Sequence, residues 1–280
     1  MKKAREYRGP VGAIVVAVVA ILATLLQAVV GDFPVALFAF PLNIIVLALW
    51  IVLLTVSCRN RATSPLAKAM LSRSATWLAL LVMVAIGLVL GLQREPSSAS
   101  WPVVVGLLYV MSHLYLVTLR GYRATGGLRW RFTLLHLGLL LALGAGFWGA
   151  PDREQLRMAV DERPNSVAYT MSGAEVTLDF DVSLREFKMT PAEEGVQMQY
   201  EATVVMDGKD VVLRVNHPYD RTWAQKIYIV SYGSQHAGNY VVVEIVTEPW
   251  QWLSLVGIVM LIVGAVMMFL RGPRRLVKEI

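Results

Sequence analysis

The sequence predicts a membrane α-helical protein of six transmembrane helices, with an extracytoplasmic all-β domain inserted before the last helix. Three observations predict it. The 280 residues are 56% hydrophobic, and the apolar residues are clumped into long runs. Lys and Arg recur in alternate connections between those runs. One stretch near the C-terminal side breaks the pattern, turning acidic and alternating apolar with polar residues.

A run of about 18 apolar residues is long enough to cross a hydrocarbon core of about 30 Å as a helix. Such runs cover residues 11–30, 35–57, 75–92, 102–119, 132–148 and 252–270. The first reads as a span and not a cleavable leader. It lacks a small-x-small exit site, and another run follows after only Gly31, Asp32 and Phe33.

MKKAREYR precedes the first run, CRNRATSPLAKAMLSR separates the second and third, RGYRATGGLRWR separates the fourth and fifth, and RGPRRLVK follows the last. The alternate connections, GDF and QREPSSAS, are nearly neutral. Basic residues stay on the cytoplasmic side, so both termini are expected inside and residues 150–249 outside. Four parts follow: an additional N-terminal hairpin at 1–60, spans three to five at 61–149, the outer domain at 150–249, and the last span with its basic tail at 250–280.

The outer segment carries nine basic and sixteen acidic residues, a net of −7. The rest of the chain is then +13, given +6 for the whole. The alkaline balance is an effect of topology, and no nucleic-acid partner is implied. AEVTLDFDVSLREF places Val176, Leu178, Phe180, Val182 and Leu184 at every second position, as a half-buried strand requires. Asp207-Gly208 lies between two β-rich runs, a two-residue hairpin signal. QKIYIVSYG and YVVVEIVTEP supply two more strands of a small antiparallel sheet or sandwich.

Cys58 is alone, so no disulfide or CxxC pair is available. HExxH, Walker A, GxSxG and CxxCH patterns do not occur. Four histidines remain: His113, His136, His217 and His236. His136 lies about six residues in from the basic loop before the fifth run, roughly 9 Å deep at the helical rise. His113 is expected at similar depth in the fourth. An ionisable ring at that depth faces a bundle interior or a cavity. It either hydrogen-bonds a neighbouring helix or, as a neutral imidazole, ligates a metal such as haem iron. Arg129 and Arg131, with Arg120 and Arg123 on the same loop, could meet haem propionates or act only as positive-inside anchors. Asn216-His217-Pro218 reads as a turn, with partner contact by His217 as the sharper alternative. His236, in GSQHAGN, reads as a solvated loop residue.

FTLLHLGLLLALGAGFWGAPDREQLRMAV resembles the span-and-exit segment of the ResB/CcsB family of cytochrome c biogenesis proteins, with its early phenylalanine and histidine. VVLRVNHPYDRTWAQKIYIVSYG, followed by VEIVTEPWQWLSLVGIVMLIVGAVMMF, is similar to that family's late outer segment and last span. The resemblance covers about residues 74–271 and is strongest at 132–160 and 211–269.

It implies a subunit of a system II cytochrome c synthetase in a bacterial cytoplasmic (inner) membrane. With a CcsA-type partner, such a subunit moves haem across the membrane and presents it to CxxCH thiols of apocytochrome c. By that resemblance His136 is the axial ligand of a transient haem b, opposite a partner histidine. His113 matches no family ligand and falls to packing or a supporting hydrogen bond, and Ser112 stands where the family often has asparagine. The partner's tryptophan-rich motif is absent, and Trp250 and Trp252 read as interfacial anchors. The chain is therefore half a synthetase, with no catalytic residue of its own. The alternative is a membrane scaffold or sensor whose outer β domain binds a ligand or partner.

Overall fold

The computed structural model describes residues 11–60, 64–93, 97–124, 129–190, 199–235 and 238–271. They divide into two compact units, one of Met1–Pro151 with Trp252–Ile280 and one of Asp152–Gln251.

The first unit is helical: α1 (Val11–Val30), α2 (Leu42–Arg59), α3 (Pro65–Met70), α4 (Arg73–Leu92), α5 (Trp101–Ala124), α6 (Trp130–Gly149) and α7 (Gln251–Arg271). Five of these, α2 and α4–α7, are long and apolar enough to cross a membrane. The apolar stretch whose side chains are described in α1, Val18–Val30, is by itself shorter than a span. Helix α2 begins at Leu42 and not near 35. Pro34 and Pro41 bracket a single 3-10 turn at Val35–Phe38, because proline removes an amide donor and disfavours helix in the residue before it.

The basic connection between α2 and α4 folds into α3, which begins on local capping signals. The Ser64 hydroxyl accepts the Ala67 amide at 3.3 Å, with Pro65 in the first turn. Ser72 accepts the Ala75 amide at 3.1 Å and starts α4 the same way.

Connections α1–α2 and α4–α5 meet at one end of this bundle. The Phe33 amide donates to Ala99 O at 2.8 Å. Asp32 accepts Gln27 Nε2 at 2.7 Å and Ser97 Oγ at 2.8 Å. Those two hydrogen bonds hold the Asp32 carboxyl below the usual carboxylate range.

Small residues bring α6 against α7. A Cβ added at Gly257 would lie 2.5 Å from Ala142 N and 2.7 Å from Gly138 O, so the two backbones touch there. Close approach of this kind maximises van der Waals contact where no hydrophobic drive exists between helices in lipid.

The second unit is one antiparallel sheet of eight strands: β1 (Glu154–Val160), β2 (Asn165–Thr170), β3 (Glu175–Thr190), β4 (Gln199–Met206), β5 (Lys209–Arg214), β6 (Tyr219–Asp220), β7 (Gln225–Gln235) and β8 (Gly238–Thr247). Their order is β5-β4-β3-β2-β1-β8-β7-β6. The edge strands β5 and β6 are consecutive in the chain, and an isolated bridge pairs Arg214 with His217 in the turn between them. The sheet therefore rolls round a single core, to which every strand contributes.

Alternation produces that core. Phe180, Val182 and Leu184 of β3 are buried, with Val176 and Leu178 packed beside them. Strict alternation would next turn Glu186 inward. A register shift between Leu184 and Glu186 prevents this and leaves Phe187 opposite the buried Ala202. A second shift, between Ile229 and Ser231 of β7, sets Tyr232 opposite the buried Val241. Tyr232, Phe187 and Tyr200 then meet with centroids 5.0–6.3 Å apart. The Asp207-Gly208 turn forms as expected, both residues at positive φ (50° and 71°) and Met206 paired with Lys209.

Candidate functional site

His136 lies in the second turn of α6 and is half-buried. Its Nδ1 is 2.9 Å from the carbonyl oxygen of Phe132, one turn earlier. A carbonyl can only accept, so in the neutral ring Nδ1 carries the hydrogen and Nε2 carries the lone pair. Among the described residues, Nε2 meets no hydrogen-bond partner. The Phe132 ring stacks on the imidazole, with centroids 4.0 Å apart and planes 27° apart.

His113 has the same tautomer and a different setting. It is 6% exposed, and its Nδ1 donates to Met70 O at 2.7 Å, at the end of α3. About two helical turns further along α5, Arg120 Nη1 reaches Leu71 O at 3.5 Å. Two side chains of α5 thus receive carbonyls left open where α3 ends, which is a packing role. Met70, Leu71, Leu116, Leu54 and Cys58 form the apolar cluster around this junction. No hydrogen bond or ring contact joins His113 to His136 among the described residues.

Arg129 stands exposed at the N-cap of α6 with no side-chain capping bond, and Arg131 is half-buried in its first turn. Neither is in an ion pair among the described residues. The side chain of Arg123 and all of His236 lie outside the described residues. His217 is exposed, and its amide donates to Arg214 O at 3.1 Å. Asn216 beside it takes a φ of 61°, a conformation asparagine tolerates better than most residues. The Asn-His-Pro stretch therefore acts locally as the turn between the two sheet edges. Trp250 Nε1 donates to Asp152 at 2.7 Å within the second unit.

Sequence reasoning missed three polar contacts inside the bundle. Asn43 is 1% exposed and donates to Trp148 O at 3.0 Å. Trp50 Nε1 donates to Ser112 Oγ at 3.0 Å, which gives Ser112 a structural partner. Thr55 and Tyr115 share a hydrogen bond of 2.7 Å. An asparagine inside an apolar run was the available signal for the first of these.

Two of the concavities among the described residues lie one in each unit. One, of about 290 Å³, opens between α5 and α6 and is lined by Tyr115, Thr118, Tyr122, Thr133, Leu137 and Leu140. The other, of about 440 Å³, lies on the sheet and includes Arg153, Gln155, Tyr228, Glu244 and Glu248. Its carboxylates are paired, Arg153 with Glu248 at 2.8 Å and Arg157 with Glu244 at 2.7 Å. No group of three or more His, Cys, Asp or Glu side chains that could hold a metal ion occurs among the described residues.

The donor chemistry at His136, with Nδ1 on a carbonyl and Nε2 carrying the lone pair, fits what a single histidine ligand to a metal such as haem iron would need. Metal-ligating histidines commonly donate their other ring N–H to a carbonyl or carboxylate, and the Phe132 carbonyl occupies that place.

No protein-family model matches the chain, and no curated protein matches it. Among solved structures, a cytochrome c heme lyase, CcmF, is similar over 91% of this chain and 44% of its own, at 14% identity and a TM-score of 0.40. The chain thus spans less than half the length of that protein.

Proposed function

We propose that this chain is a ResB/CcsB-like subunit of a system II cytochrome c synthetase. It helps move haem across a bacterial cytoplasmic membrane and present it, with a CcsA-type partner, to the CxxCH thiols of apocytochrome c. The observation that carries the reading is His136. An imidazole within an apolar helix has Nδ1 committed to the Phe132 carbonyl and Nε2 left with its lone pair. The resemblance of residues 132–160 and 211–269 to that family supports it.

In this reading six helices span the membrane, α1 among them. Both termini and the basic connections face the cytoplasm, and the β domain lies outside. The working parts are the hairpin at 1–60, the spans at 61–149, the outer domain at 150–249 and the last span at 250–280. A haem b held at His136 would supply a redox-active iron and a porphyrin for transfer. The chain's own residues would hold and orient it: His136 as a ligand to the iron, Arg129 and Arg131 by charge toward propionates. His217 is the contact offered to the partner or to apocytochrome. The thioether chemistry belongs to the assembled complex, since this chain brings half of the site.

The test is an absorption spectrum of the protein purified with a CcsA-type partner, wild type beside His136→Ala. A Soret band with reduced α and β bands, lost in the variant and restored by imidazole, is expected. Identical haem spectra in both forms would make His136 a packing residue.

One observation favours a second reading, a scaffold or sensor: the polar cleft on the sheet between Arg153, Glu244 and Glu248. Absence of haem from both forms, with a periplasmic ligand or partner retained by the β domain, would put that reading first.

A further inference from the structure

Three residues on two helices form a continuous stack. Gly121 of α5 presents bare backbone, and the ring of Phe132 in α6 fills the space. A Cβ added at Gly121 would meet Phe132 Cζ at 2.3 Å and Cε1 at 2.4 Å. That ring is in turn stacked on His136 with centroids 4.0 Å apart, and the carbonyl of the same residue accepts from His136 Nδ1 at 2.9 Å. Phe132 therefore acts on the imidazole twice, on its plane through the ring and on its tautomer through the carbonyl. The carbonyl contact needs only one helical turn. The ring contact needs Phe132 itself to be fixed, and the room for it comes from Gly121.

We infer that Gly121 and Phe132 are positioning residues for His136, a socket and a plate that hold the imidazole with Nε2 as the nitrogen left to bind a metal. The inference rests on the reading of His136 as a haem ligand. An imidazole free to rotate about its side-chain bonds can offer either nitrogen at many angles. Each added degree of freedom must be frozen when a metal binds, which weakens binding. Partners that orient a ligating histidine are worth about 10- to 100-fold in metal affinity. An alanine at Gly121 places its methyl within the volume of the Phe132 ring. The ring must swing away, and the stack on His136 goes with it. The carbonyl stays, because it belongs to the helix.

The experiment uses the full chain in lipid nanodiscs with isotopically labelled histidine, the His136 signals being identified by their loss in His136→Gln. Wild-type protein should show the Nδ1–H tautomer, with His136 ring protons shifted upfield by the Phe132 ring. Gly121→Ala and Phe132→Leu should each remove the upfield shift while keeping the tautomer. Both should weaken haem binding about tenfold or more in a hemin titration read at the Soret band. Gly146→Ala, on a position with nothing within 4 Å, should change neither. An unchanged shift in Gly121→Ala, or an Nε2–H tautomer in the wild type, overturns the positioning role even where haem binds through His136. The wild-type signature without any His136-dependent haem band overturns the ligand reading instead and leaves the stack as an ordering device for the ring alone. Phe132→Leu gives the same readouts should Gly121→Ala fail to fold.

Discussion

The guanidinium of Arg221 lies 3.7 Å above the ring of Phe180 in the β domain. Its side chain is 15% exposed. It donates to Asp207 at 3.0 Å and to Gln225 Oε1 at 3.0 Å, with Asp179 at 3.4 Å. One arginine after β6 thus ties the β4–β5 turn to β3 and β7. Arg221→Ala should lower the unfolding free energy by about 2 kcal/mol, the scale of a partly desolvated cation–π contact with charge-assisted hydrogen bonds. Arg221→Lys should recover only part, because a single ammonium nitrogen lacks the flat guanidinium that lies on Phe180 while separate nitrogens reach Asp207 and Gln225. Denaturant unfolding followed by near-ultraviolet circular dichroism checks both.

His113 supports the α2–α4 connection by donating to Met70 O from a buried position. His113→Phe keeps the apolar bulk and removes the donor, leaving a carbonyl poorly satisfied. The expected loss is about 1–3 kcal/mol. It should be accompanied by faster amide exchange in α3 and little change in α6. Equal exchange in α3 for both proteins would show that the hydrogen bond does not hold it.

The Asp32 network has a pH dependence of definite sign. The carboxyl is held below its usual value by Gln27 and Ser97. A depressed carboxylate stabilises the fold at all pH above the unfolded value and loses that contribution as pH falls through the folded one. Protection of the Phe33 and Trp101 amides, which bond Ala99 O and Gln27 Oε1, reports it. Asp32→Ala should reduce their protection at neutral pH. The gap from wild type should close only once the pH is below the ordinary carboxylate range.

Gly257 and Gly146 separate packing from propensity. Alanine is a better helix former than glycine at both. At Gly257 its methyl would lie 2.5 Å from Ala142 N, whereas at Gly146 it meets nothing within 4 Å. Thermal unfolding should therefore show Gly257→Ala destabilised and Gly146→Ala unchanged or slightly stabilised. Equal behaviour would mean that α6 and α7 are not in backbone contact.

Helices from α4 onward fall close to the runs expected of them, because length and hydropathy are local properties. The same holds for β3, β7, β8 and the Asp207-Gly208 turn, whose signals lie within a few residues of each other. Strands β1 and β2 were not distinguished. EQLRMAV and NSVAYT are short, and β1 earns its place by pairing along its full length with β8, more than 80 residues later in the chain. The register shifts at Glu186 of β3 and Ser231 of β7 were likewise hidden, since alternation alone would carry Glu186 into the core.

Composition, hydropathy and charge were enough to give an apolar helical part and an acidic β domain before the last helix; they set both His113 and His136 in apolar runs, and only the family resemblance separated the two. Each follows from neighbours in the chain. Tertiary structure decided which groups meet across helices: His113 with Met70 O, Asn43 with Trp148 O, and the Phe132 ring with the backbone at Gly121. These contacts join residues 11 to 105 positions apart. A helix in isolation leaves each of those side chains equally free, so only packing against a second helix selects the partner.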